Sequence, residues 1–506
     1  MSGTSDYPEL TAEEAAETIA DGALVAFSGF TAAGAAKVVP RALAVRARRL
    51  HAEGRPFRIG VLTGASTGPS IDDALAAAEA VRWRAPYQSS APLRDRINRG
   101  ETDYVDMHLS HFPQMVAEGF LGKIDVAVIE ATEVTRDGRV FLSTSIGASP
   151  TFLRCAERVI IEVNRFQSRR LAEIADVVVM PPPPHRTPIA IDHPLDRIGK
   201  PYAEVDPRKV VGIVRNDEPD DIPLFRAPTQ SCTGIAGHIV EFLLRERAAG
   251  RIPPEFLPFQ SGVGNVANAV MTGLGAHSEI PPLTMYSEVL QDAALDLMRS
   301  GRLAAASTTS LTLSTGKLRE LYDDLDFFLP KIVLRPQELS NHPEVVRRLG
   351  VIAMNTVLEV DVYGNANSTH ICGTRMMNGI GGSGDFERNA FLSIVMCPSI
   401  LHGGRVSSIV PMCPHVDHAE HSVQIVVTEQ GLADLRGLGP VERARAIIDR
   451  CAHPAYRDYL RDYLRRAPAG HIRHDLTRCF ELHRNFIEHG AMLPDLDLGG
   501  SAAESL

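Results

Sequence analysis

The sequence predicts two tandem α/β domains with mainly parallel sheets and a helical C-terminal extension. Three observations carry this prediction. Short apolar runs at 23–27, 59–62, 125–130 and 158–163 alternate with helical patterns, and strands apolar on both faces belong to parallel sheets covered by helices. Landmarks then repeat: Ser28-Gly29 returns as Ser261-Gly262 after 233 residues, and Ser145-Ile146-Gly147-Ala148-Ser149 returns as Gly379-Ile380-Gly381-Gly382-Ser383 after 234. So long a separation indicates a duplicated domain rather than a solenoid. Finally, charged amphipathic helices take over from about 439, placed to pack on the second domain or on a partner subunit.

Taken in order, Thr11-Ala12-Glu13-Glu14 is a capping box opening a helix to about Ala20. Asp21-Gly22 turns into the first strand. A helix follows from about Ala35, with Pro40 expected to break its register early. The strand at 59–62 ends in Thr63-Gly64-Ala65-Ser66-Thr67-Gly68-Pro69. Met180-Pro181-Pro182-Pro183-Pro184 is a rigid connector into a loop-rich crossover reaching about 225. The plan then restarts with a helix at 232–247 closed by Gly250, and a run at 256–260 leading into Ser261-Gly262. Between the landmarks, Val128-Ile129-Glu130-Ala131 aligns with Val357-Leu358-Glu359-Val360. The domains are therefore expected at 1–225 and 226–506, with the helical tail from about 439 and a frayed end at 499–506.

At 506 residues the chain has ample core volume. Its 52 basic and 62 acidic residues give a net charge of −10, which excludes a general nucleic-acid binder while leaving room for a local basic cleft. No apolar run has the length of a membrane span, and the first residues lack the basic and apolar segments of a secretory signal. Seven scattered cysteines without a Cys-x-x-Cys fit the reduced thiols of a cytoplasmic protein.

Chemistry concentrates in Gln260-Ser261-Gly262-Val263-Gly264-Asn265, Tyr286-Ser287-Glu288, and the turn from Asn378 through Gly379, Gly381, Gly382 and Gly384 to Phe386. Glu288 follows an apolar strand pattern and precedes 289–295, which reads as a helix. It is either an N-terminal cap or an exposed nucleophilic carboxylate. A carboxylate that attacks a thioester gives a mixed anhydride, and the freed thiolate can return to the enzyme's own carbonyl, conserving thioester energy. Each step passes through an oxyanion that needs hydrogen-bond donors, which a glycine turn supplies from its backbone. The same glycines read alternatively as tight packing at a seam. Asn341, beside His342-Pro343, is a turn former or a donor. His415, Asp417 and His418 form a zinc alternative whose spacing matches no helical metalloprotease signature.

Together Ser28-Gly29-Phe30-Thr31, Thr63 to Pro69, Gln260 to Asn268, Tyr286-Ser287-Glu288-Val289, Asn378 to Phe386 and Val427 to Gly437 resemble the acetyl-CoA hydrolase/transferase family of class I CoA-transferases, nearest to succinyl-CoA:acetate CoA-transferases. The resemblance implies two CoA-transferase-type (NagB/RpiA-like) domains. It implies a glutamyl-CoA thioester on Glu288, with Asn341 and the Gly382 N–H as oxyanion donors. It also implies CoA contacts from Phe259, Gln260, Ser261, Gly262, Val263, Gly264, Asn378 and Gly382, and Glu429 in the active-site wall. Related enzymes carry a lysine before a Gly-Gly pair to meet CoA phosphate; here His402 precedes Gly403-Gly404, with Arg405 after. The expected partners are acyl-CoA, acetate and succinate, with a homodimer as the assembly. No metal and no cofactor beyond CoA as co-substrate is expected. The alternatives are an acyl-CoA hydrolase using the same Glu288 and a non-catalytic CoA-binding protein.

Overall fold

The computed structural model describes residues 7–222, 229–262 and 264–495. The chain gathers into two compact units that are discontinuous in sequence. The first comprises Met1–Leu224, Thr284–Leu349 and Asn378–Asp385, and the second Phe225–Leu283, Gly350–Met377 and Phe386–Leu506.

In the first unit, nine strands form one sheet: β1 (Leu24–Phe27), β2 (Ile59–Leu62), β3 (Val81–Ala85), β4 (Asp103–Tyr104), β5 (Val126–Val134), β6 (Arg139–Leu142), β7 (Arg158–Asn164), β8 (Ala203–Glu204) and β9 (Val210–Asn216). The order β4-β3-β2-β1-β5-β7-β9 is parallel throughout, while β6 folds back antiparallel on β5 and carries β8. The chain leaves β1 toward one edge and returns through β5 on the other side. That reversal opens a crevice at the carboxyl ends of the strands.

The first helix, Ala12–Glu17, has the expected capping box: Glu14 N–H donates to Thr11 Oγ1 at 3.1 Å and Thr11 N–H to Glu14 Oε2 at 2.8 Å. It stops short of Ala20. The next helix, Val38–Ala52, begins later than expected, which moves Pro40 into its first turn. Those N–H groups have no intrahelical acceptor anyway, so Pro40 does not break the register. Its buried face, Val39, Leu43, Ala47 and Leu50, joins Val25, Phe27 and Ile59 in one core. Truncating a core leucine such as Leu43 to alanine costs about 2–5 kcal/mol.

The same unit contains most of the strand Leu283–Tyr286, from Thr284 on, and the strands Leu303–Thr308 and Ile332–Leu334, which pair parallel. They are tied to the N-terminal residues by backbone bridges from Ser145 to Ser310 and Gly147 to Pro336. Buried Arg335 pairs with buried Asp176 and donates Nε–H to Ser307 Oγ at 2.8 Å.

In the second unit, Phe259–Ser261, Ile352–Thr356, Leu392–Met396 and Ile425–Thr428 lie parallel in that order, edged by antiparallel Gly431–Asp434. This repeats the order and direction of β1, β5, β7 and β9, and the register fixes the equivalences. Val134 pairs with Val140, and Val360 with Ala366. Val360 therefore corresponds to Val134 rather than to Ala131. One strand turn inward, Ser28 N–H donates to Val128 O and Gly262 N–H to Met354 O. Ser28 is thus the counterpart of Gly262, one residue beyond the match to Ser261. The second landmark holds: the short helices Ser149–Cys155 and Ser383–Glu387 both open on the aligned serine.

The helix Gln230–Ala248 is followed by Gly250 at φ +68°. Helices Pro440–Arg450, Pro454–Arg466 and Glu481–His489 form the expected tail, whose Ile447, Tyr456, Leu460 and Leu482 share a core with Val426 and Ala433 of the second unit. All seven cysteines are free thiols. No helix among the described residues is long and apolar enough to cross a membrane.

Candidate active site

Glu288 sits two residues past the strand Leu283–Tyr286. Its carbonyl accepts Thr309 N–H at 3.0 Å and Thr308 Oγ1–H at 2.7 Å. Val289–Leu290 do not start a helix; they pair with Ser310–Leu311 as a short parallel ladder. The helix begins only at Asp292, with Gln291 at its cap position. Glu288 is therefore not a helix cap.

The partner comes from the short helix Gln337–Ser340, which ends on buried Asn341. Tyr286 O–H donates to Leu339 O at 2.6 Å, fixing that helix end to the strand that precedes Glu288. Ser340 O–H donates to Asn341 Oδ1 at 2.8 Å, which orients the amide. Asn341 Nδ2 donates to Glu288 Oε1 and also lies 3.4 Å from Asp385 Oδ2. Asp385, nearly buried, accepts Ser110 N–H at 3.0 Å and Ser110 O–H at 2.6 Å.

The turn 378–385 reaches this place because its glycines leave room. A Cβ on Gly382 would overlap the Glu288 carboxylate and the Asn341 amide. One on Gly384 would meet the His108 ring, and one on Gly379 would meet Tyr104 and Asp106. Gly381 takes φ +61°, a conformation that other residues rarely adopt. Ile380 N–H donates to Asp106 Oδ2 at 2.7 Å, and Leu109 N–H to Gly381 O at 3.3 Å. Asn378 hydrogen-bonds the Tyr87 phenol.

The electrostatics follow from enclosure. Glu288 keeps a partly open edge, yet its carboxylate lies deep in the protein. Burial pushes its pKa up to about 7; the Asn341 bond opposes the rise and the Asp385 charge adds to it. Asp385 is pushed to about 6, again mainly by burial, against the two Ser110 bonds. Burial, then the charges of Glu288 and Asp106, push Tyr87 to about 12. The result is a carboxylate held by one amide N–H and abutted by backbone, with no cationic partner among the causes of its shift.

Of the residues singled out in the sequence, Glu288, Asn341, Asn378 and Gly382 meet in the first unit. The others lie in the second. Phe259, Gln260 and Ser261 are buried on their strand. Gln260 is locked side by side with Asn355, donating Nε2–H to Asn355 Oδ1 at 3.0 Å and accepting Asn355 Nδ2–H at 3.1 Å. Asn355 in turn donates to Glu387 Oε1 at 2.8 Å, and burial pushes Glu387 to about 8. Gly264 caps the helix Asn265–Ala276 at φ +126°, while Val263 lies outside the described residues. His402, at φ +52°, and Arg405 are both exposed. Glu429 accepts Ser399 N–H at 2.8 Å and Gln430 Nε2–H at 3.0 Å.

At the zinc alternative, Asp417 accepts Ser368 N–H at 2.6 Å and lies 3.2 Å from His415 Nε2. His418 N–H donates to Ala366 O at 3.0 Å. These bonds tie two turns together. Among the described residues, no group of three or more His, Cys, Asp or Glu could hold a metal ion.

Sequence reasoning missed Tyr87, Asp106, His108, Ser110 and the supporting role of Asp385. A signal for the 104–110 group was present: Tyr104, Asp106, His108 and Ser110 alternate with apolar residues, the two-residue period of an extended segment with one polar face.

The model of the acetyl-CoA hydrolase/transferase N-terminal domain matches residues 1–215, and that of the C-terminal domain matches 318–464. A propanoyl-CoA:succinate CoA transferase of Escherichia coli is 55% identical over 489 residues, spanning 97% of this chain and 99% of its own. A succinyl-CoA:acetate CoA-transferase of Clostridium kluyveri is 45% identical, spanning 96% of this chain and 90% of its own. An acetyl-CoA hydrolase of Schizosaccharomyces pombe is 44% identical, spanning 94% of both.

Proposed function

This chain belongs to the acetyl-CoA hydrolase/transferase family of class I CoA-transferases, and we propose that it moves CoA between succinyl-CoA and acetate by a ping-pong reaction on Glu288. The observation that carries this reading is the Asn341 amide on Glu288 Oε1, with Gly382 packed against the same oxygen.

In the proposed sequence, the Glu288 carboxylate attacks the succinyl-CoA carbonyl. The oxyanion collapses to a mixed anhydride and expels CoA thiolate. The thiolate attacks the Glu288 carbonyl, succinate leaves, and a glutamyl-CoA thioester remains. Acetate then attacks that thioester, and the same two steps in reverse yield acetyl-CoA and free Glu288. Asn341 Nδ2–H and Gly382 N–H are the donors to the oxyanions. Charge is moved and not created or destroyed, so the sequence needs no metal or redox cofactor.

The CoA arm is assigned to Phe259 through Gly264 and Asn378. His402 and Arg405 are exposed cations for CoA phosphate, His402 only when protonated. Glu429 stands in the wall. We read the two NagB/RpiA-like domains as 1–225 and 226–506, the assembly as a homodimer, and the location as cytoplasmic.

Loss of transfer in a Glu288→Ala variant that still melts in one cooperative transition is the expected result, together with a CoA adduct on the Glu288 peptide of the wild type after succinyl-CoA incubation. Near-normal transfer by Glu288→Ala would overturn the mechanism. The Schizosaccharomyces pombe relative favours a second reading, hydrolysis with water as acceptor. Acetyl-CoA loss measured with and without succinate separates the two, since a hydrolase needs no carboxylate acceptor.

A further inference from the structure

Tyr87 stands beside the reacting groups yet takes no part in the proposed reaction. Its ring packs against Phe30, Ala65, Leu109 and Val289, the residue after Glu288. The ring also lies along the turn 378–385. A Cβ on Gly379 would meet its Cδ2 at 2.9 Å, and one on Gly381 would meet it at 3.5 Å. Gly382, next in the chain, abuts the Glu288 carboxylate. The phenol ring and the carboxylate therefore flank one short stretch of backbone. Arg84 Nη2 donates to the Tyr87 carbonyl and to the Ala65 carbonyl, each at 3.0 Å. Its Nε lies 2.9 Å from Asp72 Oδ1, and both of that pair are buried. The segment that carries the ring is thus anchored from within.

The hydroxyl is equipped to donate. Asn378 Oδ1 is buried and has no hydrogen-bond partner among the described residues, so the bond to the phenol runs from Asn378 Nδ2–H to the tyrosine oxygen. That leaves the phenolic proton for another acceptor. Burial and the Glu288 charge push the phenol up to about 12, so it keeps this proton where Glu288 ionises. Tyr87 and Arg94 are each partly exposed. Arg94 Nη2 donates to a backbone acceptor, Ser89 O, at 3.3 Å, two residues beyond Tyr87, and its charge acts on the phenol.

The chemistry calls for such a donor. Once Glu288 is a thioester its charge is gone, and the acceptor acid brings a new carboxylate to the same place. Asp385 and Asp106 oppose that anion, while Asn341 and Gly382 are assigned to the oxyanion. We propose, on the CoA-transfer reading given above, that the Tyr87 O–H holds the carboxylate of the acceptor acid, with the Arg94 charge behind it. One carboxylate oxygen accepts from Tyr87 and the other attacks the Glu288 carbonyl carbon. The new C–O bond forms, the C–S electrons leave on CoA thiolate, and Tyr87 keeps its proton.

Ping-pong kinetics of Tyr87→Phe, with acetate and succinyl-CoA each varied, test this. Loss of a hydrogen bond to a charged group should raise KM for acetate by about tenfold or more. KM for succinyl-CoA should stay near the wild-type value, because the phenyl ring preserves the packing. Arg94→Met should also raise KM for acetate, by about threefold, and flatten its rise with salt. An unchanged KM for acetate overturns the proposal. A rise in both KM values with a fall in kcat also overturns it, since that marks a ring that only supports the turn. If Tyr87→Phe melts early, Arg94→Met decides by the same two constants. A wild-type protein that transfers no CoA would instead overturn the CoA-transfer reading itself.

Discussion

Gly382 stands so close to Glu288 that a Cβ on it would occupy the place of the carboxylate oxygen. The oxygen is the one that accepts the Asn341 amide. Glycine at 382 is therefore a matter of space as much as of backbone freedom, and the contact is a direct probe of the proposed chemistry.

Gly382→Ala should lower kcat by about 100-fold or more, the loss expected when an oxyanion donor is displaced. The fold should survive, because the atoms nearest the methyl group are the ends of two side chains, Glu288 and Asn341, and not backbone. Steady-state kinetics beside a thermal melt check this; wild-type kcat in the folded variant would count against the geometry.

The pH dependence of transfer should follow Glu288, which must be ionised to attack. With its pKa at about 7, kcat/KM should rise with pH and level off above that value. Asp385 raises the Glu288 pKa by like charge, so Asp385→Asn should move the limb to lower pH. Asn341→Ala removes the bond that favours the charged form, so its limb should move to higher pH and its plateau should fall. Full pH–rate profiles of the three proteins distinguish these directions.

Stability should carry the opposite signature. The folded protein binds the Glu288 proton more tightly than the unfolded chain, whose carboxyl has the ordinary value of 4.5. The stabilising effect of that proton is complete below pH 4.5 and is lost as pH rises through about 7. At pH 8 the ionised buried group should cost up to about 3 kcal/mol. Glu288→Gln should accordingly melt above wild type at pH 8, with the difference vanishing near pH 4. A constant difference across that range would show that the side chain's charge is not the cause.

Much of this was legible in the sequence, and for physical reasons. Short apolar runs such as 23–27 and 59–62 announce strands buried on both faces. The glycines of 378–385 announce close approach. Ser28 was misaligned by one residue because a two-residue match is short, whereas hydrogen bonds to Val128 and Met354 fix the register. The setting of Glu288 was hidden for a different reason. Val289-Leu290 continue a helical pattern, but pairing with Ser310-Leu311 takes them into a ladder, so tertiary structure overrides the local period. Ser110 and Asp106 support the turn 378–385 from far away in the chain, and no local pattern states which distant loop a polar face will meet.

The register of the two halves also records how they have diverged. Ser149 corresponds to Ser383, so Ala148 stands in the first half where Gly382 stands in the second. Gly64 likewise falls two residues after the strand Ile59–Leu62, as Glu288 falls two after Leu283–Tyr286. At these positions the first half carries a glycine and an alanine, and the second an acid and a glycine. A single thioester per chain follows from the proposed mechanism, since the first half offers neither a carboxylate at 64 nor a glycine at 148.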